Sequence, residues 1–150
     1  MSLARLFSPS PPTLAQRRQM TDGFNEVLRG VGLGWAHGLR RVRVRYSSSG
    51  LALARALTRA GVLDNVGTCG PEPRLVLVTG SARPQSRRPR LTRYWTSSKR
   101  NFCAVGLADV RRLARVGAGG VVFLSTSRGV LTASECANFG CGGLLLCAAT

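Results

Sequence analysis

VVFLSTSRGVLTASECANFGCGGLLLCAA, residues 121–149, is the stretch on which the fold turns. VVFL is a short, unbroken apolar run, which reads as a strand covered on both faces. Thr132 and Glu135 form the T-x-x-E pattern of a capping box and start a helix over ASECANF. Gly140 ends that helix, and GGLLLCAA returns as a final buried strand. Between the first strand and the helix sit three hydroxyls, Ser125, Thr126 and Ser127, then Arg128 and Gly129. The sequence therefore pins a hydroxyl-rich loop between two packed elements. The loop must either attack a substrate or hold something.

Attack finds no support. A serine nucleophile needs a base within hydrogen-bond reach, and the single histidine, His37, lies in the other half of the chain. No G-x-S-x-G elbow is present, and the glycine pairs of VGLGW and GAGG lack the lysine and spacing of a phosphate loop. Holding fits the chemistry. Ser and Thr hydroxyls both donate and accept, so they can meet phosphate oxygens, ribose hydroxyls and base edges. Arg128 adds a phosphate clamp, and Gly129 allows close backbone approach. The plainer alternative is a Ser/Thr turn bonded to its own backbone.

Charge favours holding a polyanion. The 150-residue chain carries 22 basic residues against 6 acidic ones, a formal net charge of +16, and Lys99 is its sole lysine. Nucleic acid is the first partner to consider and an anionic membrane surface the second. A guanidinium grips two phosphate oxygens at once, which suits the arginine bias. No apolar run approaches the roughly 18 residues needed to span a bilayer. The five cysteines, Cys69, Cys103, Cys136, Cys141 and Cys147, contain no C-x-x-C pair, so they read as reduced, mostly buried thiols and not as a metal site.

Working outward to the N-terminus, residues 1–20 are basic and rich in Ser and Pro, the composition of an organellar transit segment. Phe24, Val27, Leu28 and Val31 keep the spacing of one helical face, with the glycines from Gly30 to Gly34 expected to stop the helix. RRVRVRYSS alternates strictly: Val42, Val44 and Tyr46 on one face, Arg41, Arg43 and Arg45 on the other. A serine turn then leads into a helix with Leu53, Leu57 and Ala60 on one face and Arg55 and Arg59 on another, stopped by Gly61. PRLVLVTG reads as a strand, and ARPQSRRPRLTRYW as a linker. NFCAV is a short strand, and Leu107, Val110 and Leu113 mark a short helix. The expected fold class is α+β: two small α/β domains, an N-terminal α-β-α-β unit and a strand-rich C-terminal unit. The expected limits are 1–20 for the extension, 21–80 and 93–150 for the domains, and 81–92 for the linker.

The run from Leu124 to Cys147 resembles the C-terminal signature of the universal small-subunit ribosomal protein eight family. Ser125, Thr126, Ser127, Arg128, Gly129, Val130, Leu131, Thr132, Glu135, Gly140, Gly142, Gly143, Leu146 and Cys147 all fall in its register. Weaker similarity extends back to about residue 21, where Arg93, Arg100 and Phe102 match a segment whose Ser-Lys-Pro-Gly core is missing here. Leu144, Ala137 and Thr150 depart from the family pattern. The resemblance implies a structural, non-enzymatic protein that binds the central domain of small-subunit rRNA and supports assembly. Its partners would be that rRNA and neighbouring small-subunit proteins, with no cofactor, membrane or small-molecule substrate. The C-terminal domain would make the main contact through Ser125, Thr126, Ser127, Arg128 and Gly129, while Arg93, Arg100, Arg41, Arg43 and Arg45 position the RNA backbone. With the basic extension, the expected address is the mitochondrial matrix, ahead of the plastid. The competing reading is a DNA-binding or regulatory nucleic-acid-binding protein, although no helix resembles a recognition helix.

Overall fold

A computed structural model of the chain describes residues 14–71, 74–78, 91–93, 104–116 and 120–149. These residues form four helices and eight strands in two antiparallel sheets. The first part is α1 (Leu14–His37), β1 (Arg41–Arg45), α2 (Ser48–Arg59), β2 (Asn65–Cys69) and β3 (Arg74–Val78). Its sheet has the order β1-β3-β2. The second part is β4 (Leu91–Arg93), β5 (Ala104–Val105), α3 (Leu107–Val116), β6 (Val121–Thr126), β7 (Gly129–Thr132), α4 (Ala133–Phe139) and β8 (Gly143–Ala149). Its sheet runs β4-β8-β6-β7, with β5 also pairing β8. The architecture is thus α+β with two small domains, as the sequence led one to expect.

Helix α1 does not stop at its glycines. It begins at Leu14, inside the segment expected to be an extension, and continues to His37. A glycine in a helix costs about 1 kcal/mol relative to alanine, and packing offsets that cost here. A Cβ on Gly30 would stand 2.6 Å from Val44 Cγ1, and one on Gly23 would collide with the hydroxyls of Ser47 and Ser49. These glycines let α1 lie directly against β1 and the serine turn. Phe24, Val27 and Val31 face the core as their spacing indicated.

Ser47 caps α2 by accepting the Gly50 N–H at 3.0 Å. Leu53, Ala54, Ala56 and Leu57 are fully buried. On β1, Val44 is buried and Val42 half-buried, whereas Tyr46 is exposed and leaves the apolar face expected of it.

The second sheet explains its own apolar runs. Phe123, Val130 and Cys147 belong to one cluster, together with Phe24, Leu53, Leu57 and Leu75 of the first domain. Leu124 and Leu131 belong to another, with Val110 of α3 and Ala133 and Cys136 of α4. Both faces are covered, so polar alternation is lost. The first of these clusters runs through both domains, and the second stays within the C-terminal one. Strands β2, β4 and β7 were not anticipated, and the expected linker end between residues 92 and 93 falls inside β4. Residues 1–13 of the expected extension and 81–90 of the expected linker lie outside the described residues.

A candidate RNA-binding surface

The STSRG segment is the tip of a β-hairpin and not a free loop. Strands β6 and β7 pair Thr126 with Gly129 and Ser125 with Val130, leaving Ser127 and Arg128 at the turn. Gly129 has φ +108°, in the left-handed region where a side chain is strained. Thr126 Oγ1 donates to the Gly129 carbonyl at 2.9 Å and accepts the Arg128 backbone N–H at 3.1 Å. Its hydroxyl thus braces the turn, as the plainer reading of this loop would have it. Ser127, Arg128 and Gly129 are exposed, while Ser125 is half-buried on the central strand.

Two features support this tip from below. The Arg128 guanidinium lies over the exposed Phe139 ring, 4.9 Å from its centre, which sets its direction. Gly143 lets β8 lie close beside β6 in the sheet, and Gly142 clears the backbone of Val105 and Gly106. A Cβ on Gly143 would stand 2.6 Å from the Ser125 carbonyl oxygen and 2.8 Å from Thr126 Cγ2.

The base of the hairpin is tied to helix α4 and to the first domain. Thr132 Oγ1 accepts the Glu135 N–H at 3.2 Å, and Glu135 Oε1 accepts the Thr132 N–H at 3.4 Å, completing the expected capping box. Arg59 of α2 donates to the Val130 carbonyl at 2.9 Å and stands 3.6 Å from Glu135 Oε2. Val130 is on the edge strand β7, so Arg59 also covers part of an open edge. The sequence marked Arg59 only as a helix-face cation, because its partner lies 71 residues away.

Arg41, Arg43 and Arg45 are exposed on the edge strand β1. Alternation was enough to place them on one face. The register adds Arg74, which sits on β3 directly opposite Arg45 and is also exposed. Two like charges placed face to face are unfavourable unless an anion joins them. Behind this row, a groove of about 900 Å³ runs between α1 and the serine turn, lined by Asp22, Glu26, Arg29, Arg45, Tyr46 and Ser47–Ser49 among others. Arg93 lies on β4, with its backbone opposite Cys147. Arg100 and Phe102 lie outside the described residues. The structure therefore gathers Ser125 to Gly129 at one tip and puts Arg41, Arg43 and Arg45 on a different sheet.

The other chemistry is quiet. Among the described residues, no three His, Cys, Asp or Glu side chains gather as metal ligands. His37 is an exposed residue at the end of α1. Burial pushes the Cys147 thiol up to about 12. Cys136 is also raised to about 12, chiefly by burial, with Cys141 and then Glu135 adding to the shift. No helix among the described residues is long and apolar enough to cross a membrane.

Comparison with known proteins decides between the remaining readings. Residues 22–149 match the family model described as Ribosomal protein S8. The chain belongs to the ribosomal protein S8 family. It is 34% identical over 111 residues to the small ribosomal subunit protein uS8c of Platanus occidentalis, covering 71% of this chain and 81% of that protein. It is also 34% identical over 110 residues to the uS8c protein of Calycanthus floridus var. glaucus, covering 69% of this chain and 80% of the relative. S8 proteins are structural, non-enzymatic components of the small ribosomal subunit, so this chain is a structural protein of that subunit. Family membership implies rRNA and other small-subunit proteins as partners. One expectation is overturned. Both relatives are chloroplast proteins, which points to the plastid and not to the mitochondrial matrix. A basic, Ser- and Pro-rich N-terminus is common to the transit segments of both organelles and could not separate them.

Proposed function

We propose that this S8 protein binds the central domain of small-subunit rRNA in a plastid-type ribosome, reading a local RNA fold with the β6–β7 hairpin tip and tracking phosphates with the β1 arginine row. The observation that carries the reading is the braced tip. Thr126 spends its hydroxyl on the turn, which leaves Ser127 and Arg128 exposed and held in one geometry. Preorganised donors lose little entropy on binding. Ser125, half-buried behind them, is placed to contact only a group that enters the tip closely. Arg128 supplies the cation and Gly129 the open approach.

The arginine row has the right pitch for a backbone. Alternate residues on a strand are about 7 Å apart, comparable to the spacing of successive phosphates in a nucleic-acid strand. Arg41, Arg43 and Arg45, joined by Arg74 across the register, form a strip with no carboxylate among their ladder partners. Such contacts position the RNA without reading its sequence. Selectivity then falls to the hairpin and the RNA's shape, because the deep A-form major groove excludes side chains. Arg93 and Arg100 extend the same backbone contact in this reading.

Titrating the purified chain against a central-domain rRNA fragment over a range of salt tests this. Affinity should fall steeply with salt, and Arg41→Ala/Arg43→Ala/Arg45→Ala should lower the log–log slope by about 2–3. Arg128→Ala should weaken binding to the cognate fragment more than to unrelated RNA of equal length. A flat salt response, or equal affinity for duplex DNA, would overturn the proposal.

A further inference from the structure

Helix α4 ends in a motif that places two thiols in contact. Gly140 is left-handed, with φ 67°. Its N–H donates to the Ala137 carbonyl at 3.3 Å, and the Cys141 N–H donates to the Cys136 carbonyl at 3.1 Å. This pair of bonds is the Schellman arrangement, which brings the side chain just past the glycine onto the one five residues earlier. An apolar contact commonly fills that space. Here both positions are cysteines.

Other observations agree. Cys136 and Cys141 pack into the same cluster, with Val110 and Leu124, and the nearness of Cys141 adds to the burial that makes the Cys136 thiol hard to ionise. The backbone bond between the two residues holds their Cα atoms within the span a disulfide bridges. Cys136 is fully buried and Cys141 half-buried, so one thiol can meet a reagent and the other lies behind it. Cys147 belongs to the cluster on the opposite face of the sheet, and Cys69 to the first domain's β2.

We propose that Cys136 and Cys141 are a redox pair that closes into an intrachain disulfide across the C-terminal cap of α4. The oxidant is a low-molecular-weight disulfide. Cys141 gives its proton to solvent, attacks one sulfur of that disulfide and expels one thiolate, leaving a mixed disulfide. Cys136 then gives up its proton, attacks the Cys141 sulfur and expels the second thiolate. Two protein thiols have lost two electrons and two protons, and one small disulfide has become two thiols. The buried thiol's reluctance to ionise makes the second step the slow one. The closed bond pins the last turn of α4 and with it Phe139, on which the Arg128 guanidinium rests. The proposal stands apart from RNA binding.

The intact chain is incubated with oxidised glutathione, acid-quenched, blocked with iodoacetamide in denaturant and cut with trypsin. The C-terminal peptide should emerge two hydrogens lighter, with its single blocked cysteine at Cys147, and dithiothreitol should restore three blocked cysteines. Oxidation should also raise the melting temperature of the native chain reversibly. Cys136→Ala should instead accumulate glutathione on Cys141, because no second thiol displaces it. Cys141→Ala should leave Cys136 reduced. The proposal is overturned if the parent chain retains glutathione on Cys141 as the Cys136→Ala variant does. It is equally overturned if the bond forms to Cys147 or Cys103, or if the peptide stays fully reduced while an exposed dithiol peptide in the same tube oxidises.

Discussion

Gly143→Ala probes the tight seam beneath the hairpin. An ideal Cβ at this position would lie 2.6 Å from the Ser125 carbonyl oxygen, 2.8 Å from Thr126 Cγ2 and 3.2 Å from the Ser125 carbonyl carbon. Comfortable carbon contacts begin at about 3.5 Å. Two of the three collisions are with backbone on β6, and β7 and β8 hold that strand from both sides. The methyl group must therefore push β8 away from β6. Overpacking costs about 1–3 kcal/mol, and a backbone obstacle puts this case at about 2–3 kcal/mol. For a chain of this length that lowers the melting temperature by roughly 4–12 °C. The displacement occurs at Ser125 and Thr126, so affinity for the rRNA fragment should fall as well. Gly67→Ala is the matched control. It is also on a strand, β2, but a Cβ there meets nothing within 4 Å. Its expected effect is neutral to stabilising, by up to about 1 kcal/mol. Urea unfolding of the two variants, with filter binding in parallel, gives both readouts. Reasoning from close approach fails if Gly143→Ala unfolds within about 0.5 kcal/mol of the parent, or if the control is equally damaged.

Thr132→Ala removes the hydroxyl half of the capping box, leaving the backbone N–H bond to Glu135, and should cost about 1 kcal/mol in urea unfolding; no loss would mean that the cap is dispensable. Arg59→Ala breaks the tie between the domains; its side chain is 48% exposed, so screening limits the loss to about 1 kcal/mol, with Arg59→Lys recovering part of it. Stability should fall from about pH 9 to pH 12, because Cys136 and Cys147 stay protonated in the folded chain up to about 12 while the unfolded thiols ionise near 9. The unfolded state then binds fewer protons, giving a loss of up to about 1.4 kcal/mol per pH unit for each thiol. Replacing both with alanine should flatten that limb of the pH profile, and an unchanged slope would discount the thiols. Added salt or inorganic polyphosphate should raise the melting temperature, and a fall in either case would contradict self-repulsion as a destabilising force.

The elements legible in the sequence were those whose signals are local. The capping box at Thr132, the stop at Gly140 and the apolar runs of β6 and β8 each show within a few residues. The arginine alternation of β1 shows the same way, because the strand period fixes the faces. What stayed hidden depends on contacts distant in the chain. NVGTC carries one valine and gives no strand pattern; its pairing with β3 makes it β2. In GVLT, consecutive apolar residues point to opposite faces of a doubly covered sheet, which reads as a turn entering a helix. The glycines of α1 look like stops until β1 is seen packed against Gly30. The sequence could not show that the Thr126 hydroxyl bonds to its own turn, because its partners, Gly129 and Arg128, come within reach only when the hairpin closes.

The distribution of the acids sharpens the argument from charge. Six carboxylates cannot neutralise twenty-two cations, so where they sit matters. Glu135 is fully engaged where the domains meet, one oxygen with Thr132 and the other with Arg59. Asp22 and Glu26 line the groove that α1 forms with the serine turn, as do Arg29 and Arg45. None of these carboxylates is a ladder partner of Arg41 or Arg43, and the partner of the Arg128 guanidinium is an aromatic ring and not an acid. Phosphate settling on these arginines would relieve their mutual repulsion if RNA binds as proposed. Binding and folding stability then share one free-energy term: every phosphate that settles on these arginines stabilises the folded chain, and any mutation that loosens the fold weakens the grip on RNA.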